Sequence, residues 1–277
     1  MENFQEVLDY LSTKEWNLKP NWKSEIEKLT SKLANPDIDM NDVRAIKNYT
    51  KRFKEPLFFK HELGVYKTGR VYAPYVLLPN IPIAGLYLKD LIIPEKDYVF
   101  VSFDFSASQM RHIADYLQLD WLIQWFEEDK DVYEEFAKRI KTDRATAKTI
   151  MLLLSFGGGR NAIEEKFEWL EDEIIDNALD LYEQWFQNGD MTFEEKVKLN
   201  HTIQRIEVDF FIKKMCYIYS KQNKEFRLHA FIHDEIIMEI HKDHLDHIEK
   251  IKKYLEKNKG VKMKVKTTIM HTFQKEK

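Results

Sequence analysis

The sequence predicts an α+β fold in which one antiparallel sheet is interrupted by a long helical insertion. Strand-like apolar runs stand on both sides of residues 120–220, which themselves read as largely helical. Each strand region also carries carboxylates where an apolar run should continue into a core. The first is Asp104 in Val-Phe-Val-Ser-Phe-Asp-Phe-Ser, and the second is Asp234-Glu235 in Phe-Ile-His-Asp-Glu-Ile-Ile-Met-Glu-Ile. An unpaired buried carboxylate is costly, and divalent cations are the usual compensation where hard oxygen ligands converge.

The elements follow in order. Residues 1 to about 60 read as helical, with periodic stretches Phe4–Leu18 and Trp22–Leu33 broken by Asn35-Pro36-Asp37. Met40–Phe53 resumes the pattern under an Asn41 or Asp42 cap. From Leu57 to Pro94, Gly64, Gly69, Pro74, Pro79, Pro82 and Gly85 punctuate short extended pieces. Asp97–Phe105 is a strand, and Ser106 is the expected N-cap of a helix ending at Leu117. Helices fill residues 120–220, with interruptions at Gly157-Gly158-Gly159 and near Asn188-Gly189. Arg227–Ile232 and Ile236–Ile240 form a hairpin with His233-Asp234-Glu235 at its bend. A helix over His244–Lys257 and a half-buried strand over Val261–Met270 complete the chain.

Composition bounds the function classes. A chain of 277 residues with 44% hydrophobic and 13% aromatic content can bury a sizeable core. The longest apolar runs, such as Ile150–Leu154, are too short to span a bilayer, and the amino terminus shows no signal core. The expectation is a cytoplasmic protein with no membrane partner. One cysteine, Cys216, excludes an intramolecular disulfide and a cysteine-based zinc site. Lys and Arg number 43 against 47 Asp and Glu, so any phosphate-binding groove must arise by segregation of charge.

Each motif also has a plainer reading. Asp104 could simply cap the following helix. The His-Asp-Glu bend is harder to dismiss, because turns favour Asn, Gly or Pro. Arg144, Lys148, Leu152 and Phe156 fall at steps of four on one helix face. Two cations followed by two large apolar groups can hold a triphosphate and a base, or form an amphipathic helix with a solvated basic end. The glycine triplet lacks the phosphate-loop pattern and terminates the helix instead. His241, His244 and His247, three residues apart, could form a metal cluster, but on a polar helix end such spacing more often marks a solvated face.

Taken together, these segments resemble the polymerase domain of family A DNA polymerases, the DNA polymerase I type. Asp104-Phe-Ser-Ala-Ser-Gln-Met-Arg111 resembles the family's first catalytic motif, Asp-Tyr-Ser-Gln-Ile-Glu-Leu-Arg. Arg144-x-x-x-Lys148-x-x-x-Leu152-x-x-x-Phe156-Gly157 is similar to its nucleotide-binding fingers helix, and Ile232-His-Asp-Glu-Ile236 to its third motif. Thr68-Gly69-Arg70 with Asn80-Ile81-Pro82, Asp131-Val132-Tyr133, and Lys196, Asn200, Gln204 and Asp209 agree in the same order.

The resemblance implies a right-hand polymerase with an antiparallel-sheet palm, helical fingers and a reduced helical thumb-like amino-terminal region. The implied parts are residues 1–60 (thumb-like), 61–119 (palm), 120–190 (fingers) and 191–277 (palm). It implies template-directed addition of dNTPs to a primer 3′-end with two Mg²⁺ ions, for which Mn²⁺ could substitute. Asp104, Asp234 and the Phe105 carbonyl are the implied metal ligands, with Glu235 an accessory carboxylate. Lys148 and Arg144 would bind the triphosphate, while Leu152, Phe156, Gln109 and Tyr133 complete the nucleotide site. Arg70, Asn80, Lys196, Asn200, Gln204 and His233 would contact primer-template DNA.

Four departures accompany it. Gln109 stands for the family's sugar-packing Glu, Leu152 for an aromatic, Phe156 for a Tyr and Lys196 for an Arg. No acidic exonuclease motif appears, and the short amino-terminal region suggests a weak duplex grip assisted by a processivity or replisome partner. A virus or plasmid origin suits such a minimal form. Two alternatives are a primer- or RNA-synthesising polymerase of the same fold and a non-catalytic nucleic-acid-binding subunit. His-Asp-Glu rather than His-Asp-Ser disfavours the first, and the intact carboxylates and cations disfavour the second.

Overall fold

Four strands form the main sheet of the computed structural model, in the spatial order Phe226–Ile232, Glu235–His241, Tyr98–Ser106 and Lys264–Met270. The structure describes residues 2–53, 64–65, 71–72, 78, 81–186, 192–232 and 234–275. The chain begins with α1 (Glu2–Thr13), β1 (Asn17–Leu18), α2 (Trp22–Ser31) and α3 (Met40–Tyr49). Short strands β2 (Gly64–Val65), β3 (Val71–Tyr72) and β4 (Ile92–Ile93) precede the long β5 (Tyr98–Ser106). Helices follow as α4 (Ser108–Tyr116), α5 (Asp120–Glu127), α6 (Val132–Ile140) and α7 (Arg144–Ser155). Next come α8 (Arg160–Lys166), α9 (Asp172–Phe186) and the 29-residue α10 (Phe193–Lys221). The chain closes with β6 (Phe226–Ile232), β7 (Glu235–His241), α11 (His247–Glu256) and β8 (Lys264–Met270).

Two compact units emerge. The first comprises Met1–Ser106, Phe210–Leu255 and Val265–Lys277, and the second Ala107–Asp209 and Glu256–Lys264. In the first, β5 and β7 pair antiparallel from Tyr98↔His241 to Asp104↔Glu235. This register sets the two acidic segments side by side at one end of the ladder. β6 pairs β7 with a bulge between Leu228 and Ala230, which accommodates His229 as the extra residue. A core of Trp16, Leu29, Ile46, Leu88, Phe100 and Phe273, among others, buries one side of these elements. The second unit is helical, its core built from Met110, Phe126, Phe136, Ile150, Met151 and Trp185 with their neighbours.

Several boundaries differ from the sequence expectation for local reasons. Leu18 leaves the first helix because Asn17 and Leu18 pair with Ile93 and Ile92. Asp39, not Asn41 or Asp42, caps α3, because its side chain accepts hydrogen bonds from both of those backbone amides. Ser106 is the last residue of β5 rather than a cap. The N-cap of α4 is Ala107, in the left-handed region at φ 52° and with no side-chain cap bond. His244 closes a single 3-10 turn, Lys242–His244, before α11, and Val261–Met263 precede β8. The expected break near Asn188-Gly189 lies outside the described residues. No described helix is long and apolar enough to cross a membrane.

Candidate functional site

The acidic station lies at the end of the β5–β7 ladder, in the first unit. Val99–Phe103 of β5 are buried throughout, and at its end the burial alternates, with Phe105 inside and Asp104 half-buried between Phe103 and Phe105. The Phe105 amide donates to the Asp234 carbonyl at 3.1 Å, which fixes the hairpin bend against the end of β5. The Phe105 ring packs edge-on against Phe210 and Phe211 at 5.7 and 4.9 Å. Glu235 accepts from the buried Ser102 hydroxyl at 2.5 Å. Asp104 does not cap α4, so the plainer reading of that residue fails.

One cation already bridges this station. Lys275 Nζ lies 3.2 Å from Asp104 Oδ2 and 2.9 Å from Glu235 Oε1. Burial works against the charge on this lysine, but the two carboxylates outweigh it and raise its pKa. An ammonium shared by two hard oxygen donors marks a place where positive charge is demanded, and that donor set suits Mg²⁺ or Mn²⁺. Sequence reading missed Lys275, since no spacing rule links a residue to a partner 171 positions away.

The cationic helix belongs to the second unit. Asp143 starts α7 by accepting from the Ala145 and Thr146 amides. Ala147, Ile150, Met151 and Leu154 are buried, while on the opposite face Arg144, Lys148 and Phe156 are exposed and Leu152 packs partly buried against the edge of the core. Arg144 makes a two-nitrogen contact with Asp131 Oδ2, at 2.8 Å from Nε and 2.7 Å from Nη2. Asp131 also caps α6 through the Tyr133 and Glu134 amides. Burial opposes ionisation of Asp131, but the Arg144 contact and these amides hold its carboxyl below the usual range. Arg144 and Lys148 each stand 5.6 Å from the Tyr133 ring centroid, so the buried Tyr133 supports both cations. At the helix end Gly157 adopts φ 81°, and its amide and that of Gly158 return to Leu154 and Leu153 carbonyls. The triplet is a helix stop, as its sequence suggests.

A third group lines a small cavity in the same unit. Gln109, on α4, faces it together with Ser155, Tyr182, Leu199, Asn200 and Ile203. Gln109 is 6% exposed, and its Nε2 has no hydrogen-bond partner among the described residues. Gln204 Nε2 donates to Asn200 Oδ1 at 2.9 Å, and both side chains are buried. Lys196 lies 3.6 Å from Glu183. Nearby, Arg111 is buried, donates to the Lys262 carbonyl at 2.6 Å and covers the Phe126 ring. Burial lowers its pKa to about 10. Arg70, Asn80 and His233 lie outside the described residues.

Paired acidic segments thus end the sheet of the first unit, and a capped cationic helix stands in the second. The sequence model of DNA polymerase family A matches residues 40–188, more than half of the chain, and the chain belongs to that family. Among solved structures it is similar to the POL domain of Pol1 from M. smegmatis, a structure in complex with DNA primer-template and dNTP. The TM-score is 0.69 at 15% identity, covering 96% of this chain and 59% of that one. At that identity the likeness concerns the fold. No curated protein matches.

Proposed function

We propose that the chain catalyses template-directed addition of dNTPs to a primer 3′-end, with release of pyrophosphate. The observation that carries this is the register that sets Asp104 opposite Glu235, beside Asp234, with a cation already shared between carboxylates. Membership of DNA polymerase family A supports it. Asp104, Asp234 and the Phe105 carbonyl would hold Mg²⁺, with Glu235 assisting. The bound ions supply charge stabilisation for the attacking and leaving oxygens.

The chain's own residues do the rest of the work in this reading. Arg144 and Lys148 bind the triphosphate and offset the charge that builds on pyrophosphate. Leu152 and Phe156 give the base an apolar surface, Tyr133 supports the two cations, and Gln109 packs near the sugar. Lys196, Asn200, Gln204, Arg70, Asn80 and His233 serve the primer-template duplex. There, minor-groove acceptors common to the base pairs permit contact without sequence preference.

Primer extension tests the proposal with wild type, Asp104→Ala and Asp234→Ala. Template-directed dNTP addition by the wild type, lost by at least a hundredfold in both variants, is expected. Activity surviving both substitutions overturns it.

A further inference from the structure

The far end of the same ladder carries a second candidate metal centre, of different chemistry. Glu225, His244 and His247 each offer a ligand atom, and these atoms all lie within 4.8 Å of one another. The Glu225 carbonyl accepts from the His241 amide at 2.8 Å, and its own amide donates to Asn223 Oδ1 at 2.7 Å. The backbone of Glu225 is therefore pinned where β6 begins. His247 opens α11, and its ring packs 5.1 Å from the buried Phe226 ring. His247 Nε2 already lies 2.9 Å from Glu225 Oε2, and the His244 ring stands 6.1 Å from that of His247.

We propose that Glu225, His244 and His247 form a binding site for a transition-metal cation of the Zn²⁺ type, tying the start of β6 to the start of α11. Tetrahedral zinc with bonds of about 2.0–2.1 Å sets its ligands roughly 3.3 Å apart. The Glu225–His247 pair is close to that spacing, and only the His244 side chain has to swing inward. Two imidazoles and a carboxylate, with a fourth position left for water, are a known zinc donor set. Imidazole nitrogen favours zinc, copper and nickel over magnesium. All three side chains are partly exposed, so an ion can enter from solvent.

This site is separate from the polymerase chemistry. Tyr98↔His241 and Asp104↔Glu235 are the two ends of the β5–β7 register, six residue steps apart on each strand. At about 3.4 Å per step, that is roughly 20 Å. The spacing of His241, His244 and His247 admitted a metal cluster but favoured a solvated face, and the ligand missing from that pattern was Glu225, contributed by another segment. His241 is not among the converging ligand atoms, and its Nδ1 accepts from the Asp243 amide at 3.2 Å.

Titration of metal-free protein with Zn²⁺, Co²⁺ and Mg²⁺ decides the matter. Wild type is expected to bind one Zn²⁺ with low-micromolar affinity or better and to melt several degrees higher in Zn²⁺ than in chelator. Its Co²⁺ form is expected to show tetrahedral visible bands, and millimolar Mg²⁺ should reproduce none of this. Glu225→Gln and His247→Asn should each weaken binding at least tenfold and abolish the bands. Circular dichroism confirms that the variants are folded. If one fails to fold, His244→Asn carries the same expectation. Binding unchanged in the folded variants, or Zn²⁺ bound without a defined stoichiometry, overturns the proposal. Loss of primer extension in these variants is not required, so this result and that of the polymerase assay stand independently.

Discussion

In the proposed reading, Gln109 is the residue on which substrate choice would turn. It occupies the position at which the family's first motif has Glu, it is buried, and its amide nitrogen finds no partner among the described residues. An uncharged side chain of that length still fills space against a sugar, so a preference for dNTP over rNTP should persist. Shortening it removes that bulk. Gln109→Ala is expected to reduce the dNTP/rNTP ratio of kcat/KM by about tenfold, in the range a lost steric or polar contact supports. An unchanged ratio would assign the discrimination elsewhere. Lys275 acts by charge instead. Lys275→Met leaves Asp104 and Glu235 without their shared ammonium, and these partly exposed pairs contribute on the order of 1 kcal/mol. In chelator the variant should melt a few degrees below wild type, with the gap narrowing in saturating Mg²⁺.

At the scale of the element, α7 carries the second set of consequences. Its outward face holds both cations, and the Asp131–Arg144 contact joins it to the start of α6. Charge-assisted contacts to phosphate are worth about 1.5–3 kcal/mol, so Arg144→Ala and Lys148→Ala should each lower kcat/KM for dNTP at least tenfold. Thermal stability should change little, because both side chains lie outside the core; a collapse in melting temperature would count against this assignment. The face of α7 was legible because four-residue steps need only one helix. The β5 strand, the hairpin and the glycine stop were legible for the same local reason. The caps were not. Asp39 caps α3 through its side chain, among neighbouring Asn41 and Asp42 that could serve equally by residue type, and Ala107 holds a left-handed backbone that neighbouring sequence does not reveal. Nor was β1, whose two residues are a strand only because Ile92 and Ile93 lie beside them. The candidate site divides along the same line: Asp104, Asp234, Glu235, Arg144 and Lys148 sit in contiguous motifs, whereas Lys275 and Ser102 enter through long-range pairing.

On the scale of the whole chain, acid should be the condition that undoes the first unit. Glu239 is buried beside Lys14 and Arg227, at 2.9 and 2.8 Å. Burial opposes its ionisation, but His229, Lys14 and Arg227 outweigh it and hold the carboxyl well below the usual range. His229, set into the core by the β6 bulge, is pushed by burial from 6.5 down to about 4. Both groups have depressed folded pKa values, so each contributes stability at higher pH. The His229 contribution is complete above about pH 6.5 and is lost as pH falls towards 4. The melting temperature should therefore decline across that window, and His229→Leu should flatten the decline; an equal slope in the variant would exclude His229 as its source. Lys275 brings the end of the described chain back to β5, and this closure has a thermodynamic meaning. A tethered ammonium has an effective concentration set by the polymer, commonly millimolar, which dilution does not change. The acidic station is thus never a bare receptor awaiting its ion. In the proposed reading, occupancy by a divalent ion would be an exchange, and the apparent affinity would contain the work of displacing a counter-ion that the chain supplies for itself.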